Sequence, residues 1–334
     1  MMKQILASLL AAGAAVAPTY ASPLDDLAVE AAKAGPIIWY ESSPPDQIAK
    51  VTEVFNRRFP NLKIEHLRDT GGNSIAARVI QEAQAGGRTP DLATSGMSVA
   101  NPLKKRNLLT QVDWATLGVD KGIPQSEDAV LTASGFYVFV YNKNAVKPTE
   151  APKSWEDLLD PKWKGNLATW TRPMALVSLV PLWTQQKTDD YATKLVAQQP
   201  FFQQSTFTVA QQVASGEVPV GIGMYHTSQP ALKKGAPIEL VIPDPTPVSP
   251  IYSFVISKGK NQAGGKLLAA WLATPEGAKA YEDATGRGNE AVPGTQTFQL
   301  LANRKISRFA LNEADAENEA TTRLEKLIRR GRNG

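Results

Sequence analysis

The stretch Pro36-Ile37-Ile38-Trp39-Tyr40, followed by Glu41-Ser42-Ser43-Pro44-Pro45-Asp46, decides the fold. A short run of apolar residues predicts a strand that is buried on both faces, as in a parallel sheet. The polar loop leads into a segment with Ile48, Val51, Val54 and Phe55 at helical spacing, which predicts an amphipathic helix. A strand, a loop and a helix in this order form one unit of an α/β domain.

The same unit occurs twice more within the next 60 residues. Lys63–Arg68 and Asp91–Thr94 predict strands, and each is followed by a polar loop and a helix. Three successive units imply an open parallel sheet, whose ligands lie at the loops after the strands. Ser, Thr, Asn and Gly in such loops cap helices and direct backbone N–H groups outward, which favours an anionic ligand, although ordinary helix capping explains any single loop equally well. The predicted site residues of these loops are Ser42, Ser43, Gly72, Asn73, Ser74, Thr94 and Ser95.

A second α/β segment follows, and two extended stretches connect it to the first. Gly135–Tyr141 predicts a strand that leaves the first lobe, and Ile251–Ile256 predicts a strand that returns to it. We therefore expect a two-lobed α/β fold with open, mainly parallel sheets joined by a two-strand hinge. Lobe 1 is expected to comprise residues 22–138 and 254–334, and lobe 2 residues 139–253.

The second lobe offers Thr171, Arg172 and Tyr225 as site residues, because they follow predicted strands. Arg172 is the most informative, since a guanidinium in a cleft binds carboxylate or phosphate through two hydrogen bonds. A surface salt bridge is the alternative for Arg172. His226 follows Tyr225, but a single histidine is more often a packed polar residue than a ligand.

The start of the chain predicts secretion. A short basic start and an apolar run from Ile5 to Ala17 precede Pro18-Thr19-Tyr20-Ala21, which predicts a signal peptide over residues 1–21 with cleavage after Ala21. The chain contains no cysteine, so a lipid anchor is not expected. We expect a freely soluble protein of the periplasm.

The composition argues against several other classes. A net charge of +4 is too balanced for a nucleic-acid-binding protein. The absence of cysteine removes thiol nucleophiles and cysteine metal sites, and neither a Gly-x-Ser-x-Gly elbow nor a His-Glu-x-x-His zinc motif occurs. Ser257-Lys258-Gly259-Lys260 has the spacing of a catalytic serine–lysine pair, but it lies in a predicted turn instead of at the start of a helix. We expect no enzyme activity, no cofactor and no metal site.

Several later segments carry a resemblance to a known family. They are Tyr141-Asn142-Lys143, Ser154-Trp155-Glu156-Asp157-Leu158-Leu159-Asp160-Pro161-Lys162-Trp163-Lys164-Gly165, Val213–Val218, Lys234–Glu239 and Trp271–Gly277. Their order and spacing resemble the type II extracytoplasmic solute-binding proteins of ABC importers, in the cluster that includes ferric-ion, thiamine, phosphonate and hexose-phosphate binders. The resemblance implies two lobes that close on a solute and present it to the permease subunits of the importer. A monomer is expected.

The ligand class stays open between three hypotheses. The leading one is a small organic anion, phosphorylated or carboxylated, held between the first-lobe loops and Arg172. The second is a ferric ion bound by Tyr225; ferric members of the family carry neighbouring tyrosines near this point, whereas here a histidine follows a single tyrosine. The third is a periplasmic enzyme that acts on a small metabolite. A ligand-presenting subunit of a sensor would differ only in its membrane partner.

Overall fold

The computed structural model describes residues 22–69 and 74–333. The expected signal peptide, Gly72 and Asn73 lie outside the described residues. The strands are β1 (Ile37–Glu41), β2 (Ile64–Arg68), β3 (Leu92–Ser95), β4 (Gln125–Ser126), β5 (Ala129–Asn142), β6 (Leu167–Trp170), β7 (Phe201–Gln203), β8 (Val220–Met224), β9 (Ile238–Val241), β10 (Thr246–Val255) and β11 (Ile306–Ser307). The helices are α1 (Pro23–Ala31), α2 (Pro45–Arg58), α3 (Ser74–Gln84), α4 (Ala100–Lys104), α5 (Met174–Val177), α6 (Val180–Trp183), α7 (Gln185–Ala197), α8 (Thr206–Ser215), α9 (Tyr225–Lys233), α10 (Gln262–Leu272), α11 (Pro275–Thr285), α12 (Gln296–Leu301) and α13 (Ala314–Asn333).

The strands of the described residues form one sheet in the order β2-β1-β3-β10-β5-β8-β6-β7, with β4, β9 and β11 paired at its sides. β1 pairs in parallel with both β2 and β3, as the three strand–helix units predict. All five residues of β1 are buried, which agrees with a strand covered on both faces. We call β1–β3 with α1–α4, α10, α11 and the turn that follows α11 the first half, and β6–β9 with α5–α9 and the segment 154–165 the second half. β6 is parallel to β7 and β8 in the second half.

Two long strands connect the halves. β5 pairs with β10 from Val130 to Phe136 and then with β8 from Tyr137 to Tyr141, so one strand belongs to both parts of the sheet. β10 returns antiparallel to β5 and also pairs with β3. The predicted pair of extended crossings is therefore confirmed. β5 begins earlier than the prediction because the whole segment from Ala129 is buried.

The residues of the tryptophan-rich run at 154–165 form a rigid part of the second half. Trp155 is fully buried, packs edge-on against Phe139, Trp183 and Tyr191, and donates its indole N–H to the Pro245 carbonyl at 3.0 Å. The predicted helix at Trp155–Leu159 is a short 3₁₀ helix over Glu156–Leu159. Aromatic packing of this kind fixes the strands that carry the site.

The last helix, α13, touches both halves. It packs against α5 and α7 of the second half and against α4 and the turn Met97–Val99 of the first. Arg323 Nε donates to the carboxylate of Asp189 on α7 at 3.0 Å, and Asn101 Nδ2 donates to Asp315 Oδ1 at 2.6 Å. The lobe boundaries predicted above remain a prediction. Within the described residues, no helix combines the length and the apolar character that a membrane crossing requires.

Candidate functional site

A cavity of about 350 Å³ lies where β5 and β10 pass between the halves. Gly135 and Tyr137 of β5 and Ser249, Pro250 and Ile251 of β10 form its floor. Loops of the first half, the start of α8 and α9 in the second half, and α13 supply its walls. The remaining lining residues are Ser42, Asp69, Ser95, Gly96, Met97, Ser98, Trp170, Arg172, Met174, Thr206, Phe207, Met224, His226, Thr227, Arg287, Glu317, Asn318 and Thr321.

Three of the predicted site residues line this cavity. Ser42 follows β1, Ser95 ends β3, and Arg172 follows β6, so each lies after the carboxyl end of a parallel strand or at that end. The predicted loop after β2 lies partly outside the described residues, but Asp69 at its edge also lines the cavity. The structure thus brings together residues of both halves, as the two-lobed prediction requires.

Five other predicted residues of the described part of the chain do not line the cavity: Tyr225, which is treated below, and Ser43, Ser74, Thr94 and Thr171. Ser43 and Thr94 are buried beneath it, and Thr94 accepts a hydrogen bond from Trp39 Nε1 at 2.8 Å. Ser74 contacts Asp69 at the start of α3. The backbone N–H of Thr171 donates to the Gln203 carbonyl at 2.9 Å between neighbouring strands.

Glu41 at the end of β1 organises the first-half wall. Its buried carboxylate accepts hydrogen bonds from Ser43 Oγ at 3.0 Å, from Tyr281 OH at 2.7 Å and from the backbone N–H of Ser43. Arg287 Nη1 lies 3.6 Å from Glu41 Oε1 and donates to Ser43 Oγ at 3.2 Å and to Ser42 Oγ at 3.4 Å. A buried charge needs such partners, so this network holds the Ser42–Ser43 loop and Arg287 in one position.

Arg287 is the site residue that the sequence analysis missed. It follows α11, which ends at Gly286 in the left-handed region with a φ of 75°. A Cβ on Gly288 would collide with the side chains of Glu282 and Thr297, so glycine is required there. An arginine between two glycines, Gly286-Arg287-Gly288, is the signal in the sequence that could have identified it.

His226 lies between the two walls and is buried. Burial, and then the nearby charge of Arg287, hold the pKa of His226 well below its usual value, so the imidazole is neutral. Arg287 Nε donates to His226 Nε2 at 3.4 Å, which places the ring proton on Nδ1. Nδ1 has no hydrogen-bond partner in the described residues. A ligand oxygen that reached this buried donor would satisfy it.

Arg172 supplies the charge of the opposite wall. Its guanidinium lies over the Trp170 ring, 5.4 Å from the centroid, and makes no ion pair within the described residues. Glu317 of α13 also lines the cavity, and burial raises the pKa of its carboxyl to about 7. A carboxyl that is partly protonated at neutral pH can donate a hydrogen bond to an anion.

Tyr225 does not line the cavity, although its neighbours Met224 and His226 do. Its ring stacks on Phe136 with centroids 4.7 Å apart, and burial raises the pKa of its phenol. The raised pKa opposes the phenolate form that binds Fe(III), and the stack occupies the ring with Phe136. In residues 22–69 and 74–333, no group of three His, Asp or Glu side chains is arranged to hold a metal ion.

The chain is similar to known proteins in sequence and in fold. The family model described as bacterial extracellular solute-binding protein matches residues 88–307. An uncharacterized protein of Haemophilus influenzae is 31% identical over 135 residues, which are 38% of this chain and only 39% of that relative.

Solved structures share the fold at low sequence identity. Iron-bound HitA from Pseudomonas aeruginosa superposes with a TM-score of 0.73 at 17% identity, covering 88% of this chain and 99% of that one. AfuA from Actinobacillus pleuropneumoniae, with exogenous fructose-6-phosphate bound, gives a TM-score of 0.70 at 20% identity, with the same coverage. The predicted two-lobed type II binding-protein fold is confirmed. Because the family model matches more than half of its length, the chain belongs to the bacterial extracellular solute-binding proteins.

Proposed function

We propose that this protein is the periplasmic solute-binding component of an ABC importer and that its solute is a small organic anion with a phosphate or carboxylate group. The observation that carries the proposal is the position of Arg172 and Arg287, which line one cavity from opposite halves. Guanidinium groups bind such anions through paired, charge-assisted hydrogen bonds. The neutral His226 and Ser42 add donors beside Arg287.

The proposed mechanism is closure of two lobes, residues 22–138 with 254–334 and residues 139–253. An anion that contacts both arginines binds the closed form more tightly than the open one and therefore shifts the population toward it. The closed form then docks on the permease subunits. The proposal includes export by a signal peptide at residues 1–21, a soluble monomer without lipid anchor, and binding without turnover.

A ferric ion is the weaker candidate for the solute. HitA, which shares the fold, is an iron-bound protein. In this chain, however, Tyr225 would have to leave its stack on Phe136 and turn toward the cavity.

The proposal is tested by calorimetric titration of the purified protein with a panel of organic phosphates and carboxylates, after native mass spectrometry of any solute that co-purifies. Arg172→Ala should weaken anion binding by about 100-fold, since it removes a charge-assisted pair of hydrogen bonds. The melting temperature should shift by less than about 2 °C because Arg172 has no ion pair to lose.

Arg57→Ala is the matched control, because Arg57 forms an exposed ion pair with Glu53 far along α2. It should leave affinity unchanged. Wild-type affinity in Arg172→Ala, or no binding of any anion by the wild-type protein, would contradict the proposal.

A further inference from the structure

The methionines of this chain are concentrated in the cavity. Besides Met1 and Met2, the sequence contains Met97, Met174 and Met224, and all three line it. Methionine side chains are flexible and polarizable, and their sulfur atoms make favourable contacts with aromatic rings. The cavity therefore combines its charged groups with an adaptable apolar surface.

An exposed phenylalanine adds to this surface. Phe207 is 47% exposed and lines the cavity, unlike the other large exposed apolar residues of the described chain, Val29, Leu182 and Phe201. It lies in the first turn of α8, which Ser205 caps by accepting the backbone N–H of Thr208 at 3.1 Å. Its ring stands perpendicular to the His226 imidazole at 6.3 Å. Phe207 thus lies beside the imidazole that carries the buried donor.

Aromatic side chains accompany both positive charges. The Arg172 guanidinium lies over Trp170, whose indole N–H donates to the Gln204 carbonyl at 3.1 Å. Arg287 contacts His226, and His226 contacts Phe207. An anionic group bound by either arginine would bring the atoms attached to it next to an aromatic ring.

Gly135 lets the side chains of Met224 and His226 pack against the floor of the cavity. It lies within β5, and a Cβ at this position would collide with Met224 Cε and approach His226 Cε1 to 3.6 Å. Glycine inside a strand loses packing and conformational entropy, so its presence points to a close approach by another group. The terminal methyl group of Met224 makes that approach, so this part of the floor presents a methionine side chain to the solute.

We propose that the solute carries its anionic group on a flat, largely apolar ring, as an aromatic phosphate or an aromatic carboxylate does. The inference rests on the proposed function, because it requires an anion in this cavity. Met97, Met174, Met224 and Phe207 offer no hydrogen bonds to a polyhydroxylated body, which would depend on the serine, threonine and asparagine side chains of the lining instead. An aliphatic chain would forgo the contacts of a ring with Phe207, Trp170 and the methionine sulfurs.

The experiment is a calorimetric titration of the full-length mature protein with five probes. Phenyl phosphate and benzoate carry an aromatic ring. Glucose 6-phosphate carries the phosphate on a sugar, hexanoate carries the carboxylate on an aliphatic chain, and inorganic phosphate has no organic group. Phenyl phosphate should bind about tenfold more tightly than glucose 6-phosphate, and benzoate about tenfold more tightly than hexanoate. The comparison of phenyl phosphate with benzoate identifies the preferred anionic group.

Phe207→Ala should weaken binding of the aromatic probes by roughly tenfold and leave that of inorganic phosphate unchanged. Phe201→Ala is the matched control, since Phe201 is 46% exposed but does not line the cavity, and it should change nothing. Gly135→Ala provides a second variant and should weaken the aromatic probes more than inorganic phosphate. The melting temperature of each variant verifies folding.

Tighter, Arg172-dependent binding of glucose 6-phosphate or hexanoate would overturn this inference while leaving the proposed function intact. An equal loss of affinity for the aromatic probes in Phe207→Ala and Phe201→Ala would also overturn the inference. A protein that binds none of the five probes and no other anion would overturn both proposals.

Discussion

The two arginines of the cavity differ in how the protein holds them. Arg287 forms an ion pair with the buried Glu41 and hydrogen bonds to Ser42, Ser43 and His226. Arg172 lies on the Trp170 ring and makes no ion pair within residues 22–69 and 74–333. Arg287 is therefore part of the folded structure of the first half, whereas Arg172 keeps its hydrogen-bonding capacity for a partner. A site of this kind has a fixed wall and a wall that the solute completes.

The largest expected effect comes from removing the Glu41 carboxylate, which holds Arg287 in the first-half wall. Glu41→Ala leaves Arg287 without its counter-charge and removes the acceptor of Ser43 and Tyr281. We expect the free energy of unfolding to fall by about 3–5 kcal/mol, as for other broken buried ion pairs, measured by urea denaturation.

Glu53→Ala is the control for Glu41→Ala, because the Glu53–Arg57 pair is exposed. It should change the stability by less than about 0.5 kcal/mol. A loss below about 1 kcal/mol in Glu41→Ala would mean that the first-half wall is not held by this carboxylate.

A smaller effect is expected from the carboxyl of α13 that faces the cavity. Burial raises the pKa of Glu317 from its ordinary value of 4.5 to about 7, so the folded protein binds a proton that the unfolded chain has released between these pH values. Stability from this group is fully present below pH 4.5 and is lost as pH rises through 7. Relative to Glu317→Gln, the wild-type protein should lose about 3 kcal/mol between pH 4.5 and pH 8.

Thermal melts or urea titrations at several pH values test this prediction, and the difference between wild type and variant cancels other titrating groups. His226 is one of these groups. Its lowered pKa makes the stability fall as the pH decreases, which is the opposite of the effect of Glu317. Glu319→Gln, an exposed change on the same helix, should leave the pH profile unchanged. Parallel profiles for wild type and Glu317→Gln would contradict the assignment.

The smallest expected effect sharpens the comparison at Arg172. Trp170→Leu removes the ring beneath the guanidinium and should weaken anion binding by about threefold, in line with exposed cation–π pairs. Calorimetry on the double variant Arg172→Ala, Trp170→Leu completes the cycle. If Trp170 acts by positioning Arg172, the second substitution should cause no additional loss.

Much of the fold could be predicted because its signals are local. The buried run Ile37–Tyr40, the helical spacing of Ile48, Val51 and Phe55, and the β-rich segment that ends at Tyr141 each specify an element within a few residues. The start of β5 was harder to predict, since Thr132 and Ser134 are buried polar residues that interrupt an otherwise apolar pattern.

The residues of the candidate site could be predicted only where they lie at or after the carboxyl end of a parallel strand. Ser42, Ser95 and Arg172 were identified because each lies at or after the end of a parallel strand. Tyr225 was selected over its neighbours, but the start of α9 turns Met224 and His226 toward the cavity instead. Arg287 lies 245 positions from Ser42, and Glu317 lies on α13, near the end of the chain. Contacts over such distances are set by tertiary packing, which no local pattern reports.

The position of α13 adds a third link to the two strands that join the halves. The cleft opens, in the proposed mechanism, by rotation about β5 and β10. This rotation would break the contacts of α13 either with the first half or with the second half. Those with α5 and α7 include the Arg323–Asp189 ion pair and extend along the helix, while those with the first half centre on the Asn101–Asp315 hydrogen bond near its start. The contacts with the first half are the less extensive ones, so on opening we expect α13 to stay with the second half and to carry Glu317, Asn318 and Thr321 away from the first-half wall. This expectation differs from the predicted lobe bounds, which place residues 314–333 in lobe 1.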